Sequence, residues 1–300
     1  MSSKRSRSGS DRGGRHGQPH PAIVLPGSGY RAVIETDPWT PGGYTLVVNG
    51  TPQSHVNLAS QGEVFFEYIQ RMTHVIDLLR TSREPITALH LGAGALTLPR
   101  YIEHTRPGSR QQVIELEREL VDFVREHLPL PREASIRIRY GDARATLPTL
   151  PEGLRGTIDL LVVDVFSGSR IPPHVTTIEF YREIVSLLAR DGVVLVNIAD
   201  GPGLPFARGQ VATLREAIGS VAVIAETGVM KGRRYGNLVL VGSRKPMPLE
   251  WVPRIIAGGP HPSSVLHGAD VVKWTAGAVV VTDDTAVASL PPGSSLFGSR

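Results

Sequence analysis

Three carboxylates and a glycine turn are the residues whose types and spacing suit chemistry on a single ligand. Thr87 to Leu91 is an apolar run of strand length, Gly92-Ala93-Gly94 forces a tight turn, and Leu96 to Thr105 follows with helical spacing. About twenty residues on, a second apolar run ends in Glu115 and Glu117. Strand, glycine turn, helix, strand and terminal acid make a nucleotide-binding βαβ unit. The glycines let the backbone approach a ligand, and the acid accepts hydrogen bonds from both ribose hydroxyls. Two more acids close two more strands: Ser135 to Tyr140 ends at Gly141-Asp142, and the apolar run Ile158 to Val163 stops at Asp164. Ligands of an open parallel sheet sit beyond the carboxyl ends of its strands, so acids at three successive strand ends address one site. Around an adenosine, Glu115 would hold the ribose and Asp142 would accept from the adenine amino group, with the Ala143 N–H offered to a ring nitrogen. Asp164, nearest the sheet centre, would face the reacting end. Taken singly, each acid also suits a helix N-cap or a turn.

Placing these residues together requires a sheet, and the order of elements supplies one. Residues 23–60 read as a small β element, with strands at Arg31 to Glu35 and Tyr44 to Asn49 and a hairpin turn at Asn49-Gly50. Phe65, Tyr68, Met72, Val75, Ile76 and Leu79 recur at i, i+3, i+4 spacing, which predicts a helix over Glu63 to Leu79. After Glu117 come a helix to about His127, the strand at Ser135, a short helix at 144–150 and the strand at Ile158. A helix at Glu179 to Ala189, a strand at Gly192 to Ile198 and a helix at Gln210 to Ile218 follow. Strands at Val221 to Glu226 and Asn237 to Val241 close the series. Alternating strands and helices predict a parallel sheet covered on both faces. The basic loop Lys231-Gly232-Arg233-Arg234 is too short for a crossover, so the last strand must return antiparallel. The expected fold is α/β and Rossmann-like, resembling the class I S-adenosylmethionine-dependent transferases. Residues 61–245 would form its catalytic domain. Residues 246–300 read as an extension packed on the same domain, with a strand at Ala278 to Thr282, then Asp283-Asp284, and a frayed end.

Composition narrows the function classes. Of 300 residues 41% are apolar, enough for a sizeable core. The absence of cysteine excludes disulfides, thiolate metal sites and a cysteine nucleophile, and suits a cytoplasmic setting. No run approaches the ~20 apolar residues of a membrane span, and the basic N-terminus has no apolar segment behind it to make a secretory signal. The formal net charge of +4 is local: five of the 32 basic residues and one of the 28 acidic ones lie in residues 1–20, which leaves 27 of each. Residues 1–22 therefore read as a disordered basic tail rather than a nucleic-acid contact. The ten histidines show no metal-ligand spacing, so no metal is expected. Neither a G-x-S-x-G elbow nor a Gly-Lys-Ser/Thr phosphate cradle is present. Thr176-Thr177 reads as the start of the helix that follows, and Lys231 to Arg234 as a solvated hairpin tip.

Over roughly residues 44–245 the chain resembles the spermidine synthase (polyamine aminopropyltransferase) family. The family's hairpin signature L-x-L-D-G-x-x-Q is similar to Leu46-Val47-Val48-Asn49-Gly50-Thr51-Pro52-Gln53, and its Tyr six residues before His-Val is similar to Tyr68 and His74-Val75. Gly92-Ala93-Gly94-Ala95-Leu96 matches the glycine turn G-G-G-D-G in part, Glu115-Leu116-Glu117 matches E-I-D, and Gly141-Asp142 matches G-D. Asp164-Val165-Phe166-Ser167-Gly168 stands for D-S-S-D-P, with a matching helix at Phe180-Tyr181.

The resemblance implies transfer of an aminopropyl group from decarboxylated S-adenosylmethionine to a small amine acceptor, with methylthioadenosine leaving. Asp164 would be the base that takes the amine proton, Tyr68 its hydrogen-bonding partner, and Gln53 a contact on the nucleoside side of the donor. A homodimer through the N-terminal β element is a family expectation. Two departures bear on the substrate. The turn Asp that binds the donor's ammonium is Ala95, and the second Asp of D-S-S-D-P is Ser167. Glu67, Asp200 and Asp283-Asp284 are the acids that could replace the lost charge. Two alternatives stay open: a methyltransferase using intact S-adenosylmethionine, which an uncharged residue at 95 favours, and a nucleoside-binding protein without catalysis.

Overall fold

Strictly alternating apolar side chains decide the centre of the molecule. In the computed structural model, which describes residues 20–291, Ala88, Leu160, Val162, Val193 and Leu195 pack on one face of a sheet. Leu89, Leu91, Leu161, Val163, Val194 and Val196 pack on the other. Strands apolar on both faces must be covered on both, each fully buried Val, Leu or Ile contributing about 1.5–3 kcal/mol.

The chain opens with an antiparallel sheet in the order β1-β2-β3-β4, formed by β1 (Ala22–Val24), β2 (Arg31–Thr36), β3 (Gly43–Val48) and β4 (Thr51–Asn57). Asn49-Gly50 turns β3 into β4, both residues in the left-handed region. β1 and β4 were not legible in the sequence, since neither alternates clearly.

Helix α1 (Glu67–Leu78) leads to the main sheet of β5 (Thr87–Leu91), β6 (Arg110–Glu115), β7 (Ser135–Tyr140), β8 (Ile158–Val163), β9 (Leu188–Asp200), β10 (Ser220–Glu226), β11 (Gly236–Ser243) and β12 (Ser263–Leu266). Helices α2 (Thr97–Thr105), α3 (Arg118–His127), α4 (Ile178–Val185), α5 (Pro205–Ile218), the short α6 (Thr227–Met230), α7 (Trp251–Gly258) and α8 (Ala269–Trp274) connect and follow them. The strand order is β12-β10-β11-β9-β8-β5-β6-β7, parallel from β9 to β7, with β11 antiparallel to both β9 and β10. This is the expected α/β fold of the class I S-adenosylmethionine-dependent transferases, preceded by the small β element. Successive strands run outward from β5 through β6 to β7 and then return on the other side to β8, so the topological switch point lies between β5 and β8.

Several expectations need correction. α1 starts four residues later than predicted, so Phe65 is not on its apolar face. It is 58% exposed and stands against the His55 ring at 4.9 Å. The helix expected at 144–150 is a single 3₁₀ turn at Leu147–Thr149 containing Pro148. α4 ends at Val185 because β9 begins at Leu188, well before Gly192; a Cβ on Gly192 would lie 2.5 Å from the Ile158 carbonyl oxygen. α5 begins five residues earlier than predicted, with Pro205 in its first turn and the Asp200 carboxylate accepting from the Ala207 N–H at 2.8 Å. No strand forms at Ala278 to Thr282. That segment bridges the start of α4 and the body of α5 instead: Ile178 N–H donates to Val281 O (2.8 Å) and Val281 N–H to Thr213 Oγ1 (2.9 Å). The sheet edge is taken by β12, which pairs with β10. The tail expected at 1–22 falls outside the described residues as far as residue 19, as does the frayed end beyond residue 291. No helix among the described residues is long and apolar enough to cross a membrane.

Two contacts fix the N-terminal sheet over the glycine turn. Leu25, Ala32, Ile34, Leu46 and Val56 share a core with Ala95 and with Leu120, Phe123, Val124 and Leu128 around α3. Beneath them the fully buried Arg100 donates to the carbonyls of Ala95 (3.2 Å), Pro129 (2.8 Å) and Leu128, tying the turn to the end of α3. Burial pushes its pKa down to about 10, so it stays charged at neutral pH.

Candidate active site

The glycine turn ends β5 at the switch point. Gly92, Gly94 and Leu96 all have positive φ, and at Gly92 the need for glycine is steric as well. A Cβ there would meet the Asp164 carbonyl oxygen at 2.2 Å, while Asp164 N–H donates to Leu91 O at 2.9 Å. Gly94 faces the N-terminal sheet. A Cβ on it would meet Ser54 Oγ at 2.3 Å, and the same Oγ accepts from Ala95 N–H at 3.1 Å. Gln53 precedes Ser54 on β4 and is half-buried. Thr97 Oγ1 donates to His55 O (3.0 Å), a further link between β4 and the start of α2.

Glu115 at the end of β6 faces the turn. Its Oε2 accepts from Ala93 N–H at 2.8 Å and its Oε1 from Glu117 N–H at 3.1 Å. Each carboxylate oxygen retains a second lone pair for a ligand. Burial raises its pKa, with those two N–H groups opposing. Gly141 N–H donates to Glu115 O at 2.9 Å, which brings the β7 terminus alongside.

Asp142 ends that turn. Its Oδ1 accepts from Arg144 N–H (3.0 Å) and Ala145 N–H (2.9 Å), and its Oδ2 lies 2.7 Å from His174 Nε2. Burial works to raise this carboxyl, but the Ala145 N–H and His174 outweigh it and hold the pKa below the ordinary value. Ala143 is buried. Arg144 clamps Glu183 (2.7 Å) and Asp283 (2.6 Å), which fastens the C-terminal segment to this rim.

Asp164 lies at the end of β8, where α1 meets the sheet. Tyr68 OH donates to its Oδ2 at 3.0 Å and Asn197 Nδ2 to its Oδ1 at 2.8 Å. Asn197 Oδ1 in turn accepts from Asn237 Nδ2 at 3.0 Å, making a polar ladder from β8 across β9 to β11. Burial raises the Asp164 pKa against the two hydrogen bonds. Burial first, and the neighbouring carboxylate second, push the Tyr68 phenol well above its ordinary value. Tyr68 thus stays a proton donor in a hydrogen bond to a carboxylate whose proton affinity has been increased.

The structure therefore collects Gly92, Gly94, Glu115, Asp142, Ala143, Asp164 and Tyr68 along the carboxyl edge of four adjacent strands, with Gln53 on the strand that abuts the turn. Sequence reasoning missed Ser54, Asn197, Asn237 and His174, and also Leu116, which is 65% exposed beside Glu115. Asn197 had a signal, being the polar residue inside the apolar run Val193 to Ala199. The others had none, because their partners lie far away in the chain.

No family model matches the chain. Among curated proteins it is similar to a polyamine aminopropyltransferase of Vibrio vulnificus, 29% identical over 135 residues that cover 45% of this chain and 44% of the relative. A polyamine aminopropyltransferase of Neisseria meningitidis is 25% identical over 185 residues, 58% of this chain and 68% of that one. Among solved structures, a probable spermidine synthase from Corynebacterium glutamicum superimposes with a TM-score of 0.80 at 29% identity, covering 89% of this chain and 97% of that one. The chain is similar in sequence and fold to proteins of the spermidine synthase family. Its alignment spans less than half the length of the Vibrio relative. The spermidine synthase of Thermotoga maritima, at TM-score 0.55 and 15% identity, shares the fold. So does human methyltransferase-like protein 13, solved with SAH, at TM-score 0.52 and 17% identity. Set against the spermidine synthase motifs it resembles, this chain has acids at 115, 142 and 164 and carries Ala95 and Ser167 at two other positions that are acidic in those motifs.

Proposed function

We propose that the protein is an aminopropyltransferase-like enzyme that moves an aminopropyl group from decarboxylated S-adenosylmethionine to an amine, with Asp164 as base. The observation that carries this reading is the Asp164–Tyr68 hydrogen bond (3.0 Å) placed against Gly92 at the switch point. Glu115 binds the ribose through its free lone pairs, and Asp142 and the Ala143 N–H receive the adenine edge, with Leu116 and Gln53 beside the nucleoside. The carbon next to the sulfonium then lies toward Asp164. An amine must be neutral to attack, and a carboxylate whose proton affinity burial has raised is suited to take its proton. The sulfonium loses its charge in the reaction, so the remaining work is positioning. Names of relatives and of bound molecules, including the transition-state analogue AdoDATO in a spermidine synthase structure of the same fold, support a donor of the S-adenosylmethionine type.

A second reading, methyl transfer from intact S-adenosylmethionine, is favoured by Ala95. It is wholly buried, uncharged and bonded through its N–H to Ser54, so it offers the donor's aminopropyl end no carboxylate. Calorimetric titration with S-adenosylmethionine, its decarboxylated form and methylthioadenosine separates the two. The expected result is binding of decarboxylated donor and methylthioadenosine; binding of the carboxylated donor alone would establish the second reading.

A further inference from the structure

Asp164 is held on its two oxygens by groups of different kinds. Tyr68 OH, from α1, donates to Oδ2, and a hydroxyl can rotate between giving and taking a hydrogen bond. Asn197 Nδ2, from β9, donates to Oδ1 at 2.8 Å. A primary amide has a donor end and an acceptor end, so it supports an ionised carboxylate in one orientation and opposes it in the other. Among the described residues Asp164 forms no ion pair, and its one ionisable hydrogen-bond partner is Tyr68. The orientation of the Asn197 amide therefore bears on whether Asp164 is ready to take a proton.

The sheet register places a second amide at the far end of the first. Val163 pairs with Val196 in the parallel β8–β9 ladder, so Asp164 and Asn197 come side by side one step further on. In the antiparallel β9–β11 ladder Asn197 pairs with Val239 and Ala199 with Asn237, which makes Asn237 the diagonal neighbour of Asn197 on the same face. Its Nδ2 donates to Asn197 Oδ1 at 3.0 Å. Asn197 is 3% exposed, so its carbonyl depends on a protein donor. A buried carbonyl without one is costly, and turning the amide over would set that carbonyl against the Asp164 carboxylate. Packing alone would put aliphatic residues here, as it does at Val193, Leu195, Val239 and Val241 on the same face. Two amides replace them only at the carboxyl edge, where Asp164 stands.

We propose that Asn237 is a positioning residue for the proton-transfer step: it engages the Asn197 carbonyl, so that the NH₂ end of that amide stays on Asp164 and Asp164 meets the amine as a carboxylate. The proposal rests on the reading of Asp164 as base. With the Asn197 carbonyl occupied, a protonated Asp164 has no acceptor on its Oδ1 side to retain the proton. The test is a ¹³C NMR titration of protein labelled at the aspartate carboxyl carbons, in which the Asp164 signal is the one missing from Asp164→Asn. Asn237→Asp keeps the shape but can only accept, so it draws the Asn197 NH₂ away and turns the carbonyl toward Asp164. Losing a donor to the ionised form raises a carboxyl's proton affinity, so the Asp164 midpoint is expected to move up by about one pH unit. Asn237→Leu, which adds no charge, is expected to move it in the same direction and less far. In an Asn197→Ala background Asn237→Leu should leave the midpoint where Asn197→Ala alone puts it. An unmoved midpoint in both Asn237 variants overturns the proposal. A rise on Asn237→Leu that persists without the Asn197 side chain overturns it too, because the effect would not pass through that amide. Methylthioadenosine affinity, read by calorimetry, should be unchanged in the folded variants. Failure of the unaltered protein to bind methylthioadenosine would remove the transferase reading, and with it the proposed role in catalysis, whatever the midpoints show.

Discussion

Asp164 is held between two neutral donors, Tyr68 OH and Asn197 Nδ2, in a setting where burial raises its proton affinity. An asparagine at this position keeps the shape but cannot accept a proton, and it turns one acceptor oxygen into a donor facing another donor. Asp164→Asn is therefore expected to lower turnover by about 10²–10⁴-fold while methylthioadenosine affinity stays within a few-fold. Full activity in that variant would show that Asp164 is not the base. The position was readable because an acid ended an apolar strand. Its neighbours were not: Tyr68 is 96 residues away in the chain and Asn197 is 33. The expected bonding of Asp142 was also incomplete, since the sequence offered no reason to place His174 on its second oxygen.

At the scale of elements, the junction of β4 with the glycine turn decides how closely the N-terminal sheet approaches the candidate site. Ser54 Oγ occupies the space where Gly94 would carry a Cβ and holds the buried Ala95 N–H. Gly94→Ala adds both a clash and a left-handed alanine, and is expected to cost about 2–4 kcal/mol in urea unfolding. Adding Ser54→Ala removes the clash but orphans Ala95 N–H, so the double variant should recover only part of the loss. Purely additive losses would mean that the two residues do not touch. The helices illustrate the same boundary problem. Periodicity located α4 and α5, but the end of α4 follows the start of β9 and the start of α5 follows Asp200 and Pro205, which are tertiary or neighbouring-element effects.

At the scale of the whole molecule, pH tests the sheet. His90 in β5 is 2% exposed, with Nε2 3.0 Å from Gln111 Oε1 in β6, and burial pushes its pKa down from 6.5 to about 4. Between those values the unfolded chain binds the proton that the folded one refuses. Stability is thus intact above pH 6.5 and falls as pH drops toward 4, by about 3 kcal/mol for this residue alone. Denaturant unfolding from pH 7 to 4 should show the decline, and His90→Gln, which keeps a hydrogen-bonding side chain but does not titrate, should flatten it. An unchanged slope would place the acid sensitivity elsewhere.

The sequence by itself determined the order of strands and helices, the antiparallel return of β11, the glycine turn and the acids at three strand ends. These depend on local rules: a period of two in strands, left-handed backbone at glycine, and connections too short to cross over. Only the tertiary structure decided what those acids touch, how β4 is pinned to the turn, and that β12 rather than residues 278–282 completes the sheet. It also joined the basic segment at 231–234, whose charged side chains are exposed, to Gly203 through the Gly232 carbonyl. Each of these is a hydrogen bond or steric contact between residues distant in the chain. Their geometry exists only once the apolar faces have packed.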